Sequence, residues 1–433
     1  MAEILTTEAS SEVRKKLMRL SGAGAALRNR KMKDVAEKLG EVLERLRDPA
    51  SPQCRILEKE YCQLTGSDPQ MVNDAMRLAL QRWSKEAWIN LVETELGRLN
   101  ILDDPFATPN LIGFDSSSLI LGGCIPMPTM LSIIAPLMLR TPVLVKCSRH
   151  DTVTPGLVAE IIAEVDPQLG ECVAVTQFSS EDKVATEAML RAPCVVATGS
   201  NDTIKEISEF LSPRQRFVGY GFRFSIAVLE SEALRTGPRI EEAARKLAVD
   251  IALWDQLGCL SPLAVYVVGP AVEHVDELAM ALGEALAKAE KRWPRVKVSA
   301  EVAARIQEQR SDAEMRSAGQ GRTRLIASSG TEWTVVREAD ATFRSAPMHR
   351  FIRIHPVESP SGLYTALKPM SPGLAAVAIP GFSSNFVELS TLLSQLGASR
   401  LCLPGRMHAP PIDWHHDNLG VLRPLARFSD IER

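Results

Sequence analysis

Across residues 254–267, WDQLGCLSPLAVYV, the chain changes its periodicity. Upstream, Ile240, Ala244, Leu247, Ile251 and Trp254 recur at helical spacing and share one face, which predicts an inward-packing helix from Ile240 to Trp254 that stops near Gly258. Downstream, Pro262 to Val268 is a short apolar, β-branched run, the pattern of a buried strand. Between them a single thiol, Cys259, stands at a helix-to-strand corner. A cysteine there is either a buried packing residue or a nucleophile, and the segment by itself leaves both open.

The same alternation continues in both directions. Strands are expected at Pro142–Val145, Cys172–Thr176, Pro193–Thr198 and Ser225–Leu229, with helices at Leu157–Val165 and Thr203–Phe210 between them. Beyond Gly258 a second series begins: strand Pro262–Val268, a long helix Val272–Trp293, then strands at Trp333–Val336, Phe351–Pro356, Leu374–Ile379 and Arg400–Leu403. The polar stretch Gln307–Thr323 reads as a mobile loop. This is an α/β chain. The first hundred residues differ, being helical: Val35, Leu39, Val42, Leu43 and Leu46 form one stripe, and Asp68-Pro69 is a capped start for another.

Length and composition exclude several classes. At 433 residues the chain has room for two or three domains, and 45% hydrophobic with 24% charged residues is the balance of packed globular cores. A net charge of −3 leaves no excess of cations for nucleic acid, and the basic cluster Arg14 to Lys33 reads as a solvated helix face. Eight cysteines without paired spacing fit reduced thiols in a cytoplasmic protein. Glu3, Glu8 and Glu12 occupy a start where an export signal needs basic and then apolar residues. The uncharged run Ser116–Leu139 has membrane-spanning length, yet Gly122, Gly123, Pro126, Pro128 and Pro136 break it into strand, turn and short helix. Two further motifs are set aside. Gly22-Ala23-Gly24 lacks a preceding strand and the third glycine of a dinucleotide loop, and His415-His416-Asp417 has no third ligand at metal spacing and reads as packing or capping.

The segment Gln256-Leu257-Gly258-Cys259-Leu260-Ser261-Pro262 resembles the nucleophile loop of the aldehyde dehydrogenase superfamily. Gly123-Cys124-Ile125-Pro126, Thr141-Pro142-Val143-Leu144-Val145-Lys146 and Ala197-Thr198-Gly199-Ser200 follow in the order that superfamily uses for its coenzyme domain. With Tyr220-Gly221 and the C-terminal HHDNLGVLRPLARF, the whole chain resembles a LuxC-type acyl-CoA reductase. The resemblance implies a Rossmann-type coenzyme domain at 111–228, a catalytic domain at 229–408, a helical segment at 1–110 and a C-terminal segment at 409–433 that reaches a neighbouring subunit.

It also implies a reaction. Cys259 would accept an acyl chain from acyl-CoA, or from an acyl-carrier protein, and release it as fatty aldehyde after reduction by NADPH. The superfamily's hydrolytic glutamate falls at Gly219, which carries no base, and this favours thioester reduction over oxidation to acid. Lys146 and Ser148 fall on the coenzyme strand, and Arg149 stands where an acidic residue commonly holds the NAD ribose, so a 2′-phosphate is expected instead. Thr198, Gly199 and Ser200 are the expected phosphate-contacting turn. Cys124 occupies the place of an oxyanion-stabilising asparagine; a thiol is a weaker donor, and losing such a donor costs about 3 kcal/mol elsewhere. A silent acyl-binding or assembly role is the alternative this departure leaves open. No metal is expected, and the implied partners are further copies of the chain and an acyl-transferring or acyl-activating protein.

Overall fold

A computed structural model describes residues 7–432 apart from 105, 108, 272, 296, 297 and 382–384. The expected first residue of the long helix, Val272, and the acidic Glu3 lie outside the described residues.

Five helices open the chain: α1 (Glu8–Arg28), α2 (Met32–Arg47), α3 (Pro52–Thr65), α4 (Pro69–Leu80) and α5 (Lys85–Leu96). Local chemistry starts four of them, one at the Asp68-Pro69 cap that the sequence predicts. The side chains of Thr7, Ser51, Asp68 and Ser84 each accept a backbone N–H of the first turn, and Pro52 and Pro69 stand where no N–H is needed. The Gly22–Leu27 string lies inside α1, not in a coenzyme loop.

A first sheet follows, built from β2 (Ser117–Ile120), β3 (Val143–Lys146), β4 (Val173–Thr176), β5 (Cys194–Thr198) and β6 (Arg216–Tyr220), after a short β1 (Asn110–Ile112). Its helices are α6 (Pro126–Met138), α7 (Thr154–Val165), α8 (Pro167–Glu171), α9 (Lys183–Met189) and α10 (Asn201–Phe210). The strand order β4-β3-β2-β5-β6 is wholly parallel and reverses direction between β2 and β5, so a crevice opens beyond the carboxyl ends of these two paired strands, where their connections part. Among the described residues no helix is long and apolar enough to cross a membrane.

The second sheet begins with β7 (Phe224–Glu230) and continues through α11 (Gly237–Ala252), β8 (Pro262–Val268), α12 (Glu273–Arg292), α13 (Ala300–Gln320), β9 (Arg324–Ala327), β10 (Thr334–Arg337), β11 (Phe351–Val357), α14 (Pro360–Leu367), β12 (Leu374–Ala378), α15 (Phe386–Gln395) and β13 (Arg400–Cys402). Its order is β13-β12-β7-β8-β11-β10-β9, parallel except for the edge strand β9. Leu278, Leu282 and Leu286 of α12 and Ile240, Leu247 and Ile251 of α11 bury one face, and Leu363, Leu389 and Leu393 bury the other; each such side chain contributes about 1.5–3 kcal/mol. The last strand, β14 (Arg427–Ser429), pairs with β1 of its own chain.

Three expectations change. A boundary at 228 would cut β7, which pairs with β8 from Ser225 to Glu230; the sheets meet instead at Gly221–Arg223. The stretch Gln307–Thr323 is not a loop but most of α13. That helix is capped by Ser299 and by left-handed Gly321, and it buries Ile306, Ala313 and the stem of Arg310. Arg310 holds it down by donating to Thr334 Oγ1 at 2.9 Å and to the carbonyls of Gly330 and Trp333 at 2.6 and 3.0 Å. A narrow buried face hidden by surrounding charge is what the polar composition concealed. Finally, the α-helix before the cysteine ends at Ala252, not at Trp254, because Trp254, Asp255 and Gln256 have φ of 56°, 50° and 62°.

Candidate active site

Those three left-handed residues build the corner that carries Cys259. For side chains larger than glycine the conformation costs roughly 1–2 kcal/mol per residue, and it persists here because partners hold it. Gln256, fully buried, donates from Nε2 to the carbonyls of Pro262 (2.8 Å) and Phe351 (3.0 Å) and accepts the Phe351 N–H at 2.8 Å. Asp255 accepts from His349 Nδ1 at 2.6 Å and lies 3.3 Å from Arg350 Nε. Met348, His349 and Arg350 are themselves left-handed, with φ of 63°, 57° and 59°, so two strained turns lock one another. Trp254 packs edge-on to Tyr61 of α3, ring centroids 5.8 Å apart, and its N–H meets Met71 Sδ of α4 at 3.2 Å. The N-terminal helices therefore buttress the loop as well as covering the first sheet.

Cys259 follows the turn and is the one exposed cysteine of the eight. Ser225 of β7 donates to its carbonyl at 2.7 Å. Its thiol sits deep among protein atoms although the residue opens to solvent. Burial, and then the Asp417 carboxylate, push its pKa up to about 11, against the pull of the Cys259 and Leu260 N–H groups. At neutral pH the thiol dominates, so attack needs a group that takes the proton.

The first sheet meets this loop through the turn after β2. Ile125 Cγ1 and His408 Cε1 lie 3.8 and 3.7 Å from where a Cβ on Gly258 would sit. Cys124 precedes Ile125; its carbonyl accepts the Tyr61 hydroxyl at 2.6 Å, and burial raises its thiol pKa. Ser148 donates to the Gly123 carbonyl at 2.7 Å and accepts the His150 N–H at 3.1 Å. The Ser148 proton is thus engaged in fixing the Gly123–Cys124 turn, which makes Ser148 a positioning residue first.

The remaining coenzyme candidates sit level with that turn. Lys146 ends β3 opposite Ile120, and Ala197 of β5 is the other neighbour of Ile120, so Lys146 and Thr198 flank the end of β2 at about 10 Å across two strand spacings. Burial lowers the Lys146 pKa, and its Nζ rests 5.0 Å from the Phe178 ring centroid. Arg149 is exposed and donates from Nε to His150 Nε2 at 2.8 Å. Gly199 donates to the Tyr220 carbonyl at 3.1 Å, and Ser200 caps α10 by accepting the Thr203 N–H at 3.2 Å. A Cβ on Gly122 would lie 2.4 Å from the Thr198 carbonyl oxygen, whereas one on Gly123 would meet nothing within 4 Å. The crevice is therefore floored by bare backbone beside open space, which fits the pyrophosphate of a dinucleotide. At Gly219 a Cβ would lie 2.8 Å from Ile204 and 2.9 Å from the Phe217 ring, so no room is kept for an acidic side chain. Among the described residues no cluster of His, Cys, Asp or Glu is arranged to hold a metal.

Two features of the surroundings go beyond the sequence expectations. Tyr61 and Ser225 carried no motif. Asp250, His408 and the 405–407 backbone form a buried knot behind Gly258: Asp250 accepts the N–H groups of Gly405 (2.6 Å) and Met407 (3.0 Å), and His408 Nε2 lies 2.8 Å from the Asp250 carbonyl. The HHD string does pack, with His416 stacked 4.8 Å from Tyr220 and tilted against Trp414 at 4.9 Å; Asp417 pairs with Arg223 at 3.2 Å.

A parallel, doubly wound first sheet, a second sheet with a cysteine just ahead of its central strand β8 and a strained turn that presents it define an aldehyde-dehydrogenase-like protein. Solved structures agree on this fold: an oxidoreductase from Marinobacter aquaeolei matches 97% of this chain and 90% of its own at a TM-score of 0.74 and 12% identity. An NAD-dependent benzaldehyde dehydrogenase from Corynebacterium glutamicum matches 98% and 90% at a TM-score of 0.69 and 14% identity. Residues 27–429 match the family described as Acyl-CoA reductase (LuxC), and the chain belongs to that family, a family of acyl thioester reductases. It is 25% identical to the long-chain acyl-protein thioester reductase of Vibrio harveyi over 85% of this chain and 76% of that one, and 23% identical to long-chain acyl-protein thioester reductase 2 of Photobacterium leiognathi over 81% and 72%.

Proposed function

We propose that this chain reduces a long-chain acyl thioester to the fatty aldehyde with Cys259 as the covalent acceptor and NADPH as reductant. The observation that carries the reading is the placement of Cys259. It is the exposed cysteine, presented by a strained and locked turn against the Gly122–Ile125 loop at the mouth of the dinucleotide crevice.

The Cys259 sulfur attacks the thioester carbonyl, and the bond to the donor sulfur breaks, so one thioester replaces another and the donor leaves as a free thiol. When bound, the nicotinamide supplies the hydride that the acyl carbon must receive. Collapse of the resulting thiohemiacetal frees the aldehyde and restores Cys259. Lys146, Arg149 and the Thr198–Ser200 turn would hold the coenzyme, with Ser148 fixing the Gly123 side of its crevice. Gly219, crowded by Ile204 and Phe217, provides no base to activate water, which protects the acyl-enzyme from hydrolysis. Cys124 sits on the loop where an oxyanion donor is needed; the backbone amides of Cys259 and Leu260 already stabilise negative charge on the nucleophile.

Acyl-CoA is the proposed soluble donor. A carrier-protein thioester is the second reading, favoured by the names of the Vibrio and Photobacterium relatives. Incubation with acyl-CoA and, separately, with acyl-carrier protein should leave an acyl adduct on Cys259 by mass spectrometry, and Cys259→Ala should abolish it. No adduct from either donor overturns the reading. In the same assay Arg149→Glu should lower the ratio of kcat/KM for NADPH over NADH by tenfold or more, and an unchanged ratio would remove Arg149 from the site.

A further inference from the structure

Cys259 and Leu260 are the central residues of a tight turn, which Ser261 closes by donating its N–H to the Gly258 carbonyl at 2.9 Å. The closing bond leaves the peptide that joins Cys259 to Leu260 unbonded, and turning that peptide over converts one turn type into another. Because the peptide is planar and trans, its carbonyl and its N–H point in opposite directions. Whatever holds the Cys259 carbonyl therefore aims the Leu260 N–H. Neither residue has a positive φ, which is the backbone of the type I form and not of its flipped type II counterpart.

Ser225 of β7 holds that carbonyl. Its hydroxyl donates to the Cys259 carbonyl at 2.7 Å and accepts the Ala376 N–H of β12 at 3.2 Å, and the side chain is fully buried. The sheet is opened on both sides to let it do so. Phe224 faces Leu374 and Ile226 faces Val377, so two steps of β7 meet three of β12. Ser225 faces Pro262 and Ile226 faces Ala264, so one step of β7 meets two of β8. Each neighbouring strand thus carries an extra residue at the level of Ser225, and irregularities of this kind re-aim side chains beside active sites. The Ser225 oxygen takes the place of a backbone acceptor for Ala376, while its proton reaches out of the sheet to the nucleophile turn.

The Leu260 N–H is left on the side of the nucleophile. Among the described residues no backbone carbonyl accepts it, and together with the Cys259 N–H it pulls the thiol pKa down against the larger effect of burial. Only a few covalent bonds separate this N–H from the sulfur, so an acyl carbon bonded to that sulfur carries its oxygen within reach of the same N–H. Cys124, on the facing loop, offers a thiol, which is a weak donor.

We propose that Ser225 is the positioning residue of the acylation step: by turning the Cys259 carbonyl toward the second sheet it presents the Leu260 N–H to the oxygen of the thioester carbonyl. When the sulfur adds, the carbonyl electron pair moves onto that oxygen, and it returns as the bond to the donor sulfur breaks. The proton lost by Cys259 is matched by the one that the departing thiol takes up, so no further reactant enters. This rests on the acyl-transfer reading above, which adduct formation by the wild-type chain tests separately.

The test compares two reactions of Cys259 at pH 8. Acylation by acyl-CoA develops charge on a carbonyl oxygen; alkylation by iodoacetamide does not. Ser225→Ala should slow acylation about tenfold or more, since loss of one oxyanion donor costs about 100-fold or more elsewhere and a freed peptide keeps part of the effect. Alkylation should stay near the wild-type rate. Acylation at the wild-type rate overturns the proposal, and so does an equal loss in both reactions, which would show a turn displaced as a whole. If Ser225→Ala does not fold, Ser225→Thr keeps the hydroxyl and Ser225→Cys puts a weaker donor in its place. Adduct formation mapped to Cys259 by mass spectrometry should then be about tenfold faster in Ser225→Thr than in Ser225→Cys, with alkylation alike in both. Equal or inverted acylation rates overturn the proposal.

Discussion

At the scale of single residues, the chemistry depends on a side chain that never meets the substrate. Gln256 was legible only as part of a spacing pattern around Cys259. The structure gives its physical reason: one buried amide satisfies a backbone N–H and two carbonyls and thereby fixes three left-handed residues. Replacing it with leucine, similar in volume, leaves those groups buried without their partner. Gln256→Leu should lower the unfolding free energy by about 2–4 kcal/mol, read by denaturant titration, and the Cys259 adduct should form more slowly even in the folded fraction. A variant as stable and as reactive as the wild type would show that the turn is held by Asp255 and its cationic partners alone. The reactivity of the thiol was not legible in the same way. The segment around Cys259 leaves packing and catalysis both open, and nothing in it shows that burial first, and then the charge of Asp417 from 158 positions away, raises the thiol pKa to about 11.

At the scale of elements, what the sequence disclosed follows from where the information is stored. Caps and apolar stripes are local, so α2, α4, α11, β8, α12 and the strands β10, β11, β12 and β13 are placed to within a few residues by periodicity alone. The errors fell where distant partners decide. α13 was hidden because its holding contacts come from Arg310 to the 328–334 turn, whereas the packing role read for the C-terminal HHD agrees with its contacts to Tyr220 and Arg223, partners that nothing local in the sequence names. The dependence of the C-terminal strap on Glu95 can be tested directly. Three backbone N–H groups converge on that carboxylate, and Arg423 Nε also donates to the Glu95 carbonyl at 2.7 Å. Charge-assisted bonds of this kind contribute about 1.5–3 kcal/mol each, so Glu95→Ala should destabilise the chain by about 3–5 kcal/mol and free residues 410–423 for proteolysis. Glu95→Gln keeps one acceptor and should lose about half as much. Intact protection of the strap in Glu95→Ala, measured by limited proteolysis or hydrogen exchange, would assign its anchoring to the β1–β14 pair instead.

At the scale of the whole molecule, two sheets and a helical layer share buried ionisable groups whose opposing responses set the stability against pH. The α/β class and the two series of strands were legible; the layer's contact with the site was not, because Tyr61 and Met71 reach the corner only once the sheets are assembled. His355, fully buried in the second sheet, stacks on Tyr266 at 4.9 Å, and burial lowers its pKa to about 4 from the usual 6.5; His408, behind Gly258, is lowered to about 4 for the same reason. A depressed histidine is neutral when folded. Its contribution is complete above about pH 6.5, where the unfolded side chain is also neutral, and is lost as pH falls toward 4, by about 3 kcal/mol per histidine. Asp250 runs the other way. Burial raises it to about 7 from 3.8, so the folded chain keeps a proton that the unfolded chain releases, and its contribution is greatest below pH 4 and declines as pH rises to 7. His355→Phe keeps the ring stack and removes one titration. Its unfolding free energy should therefore change about 3 kcal/mol less than that of the wild type between pH 6.5 and 4, whereas Asp250→Asn should make the acid loss steeper. Denaturant titrations at half-unit pH steps separate these curves, and a His355→Phe curve parallel to the wild type would mean that His355 takes up its proton without unfolding the sheet around it.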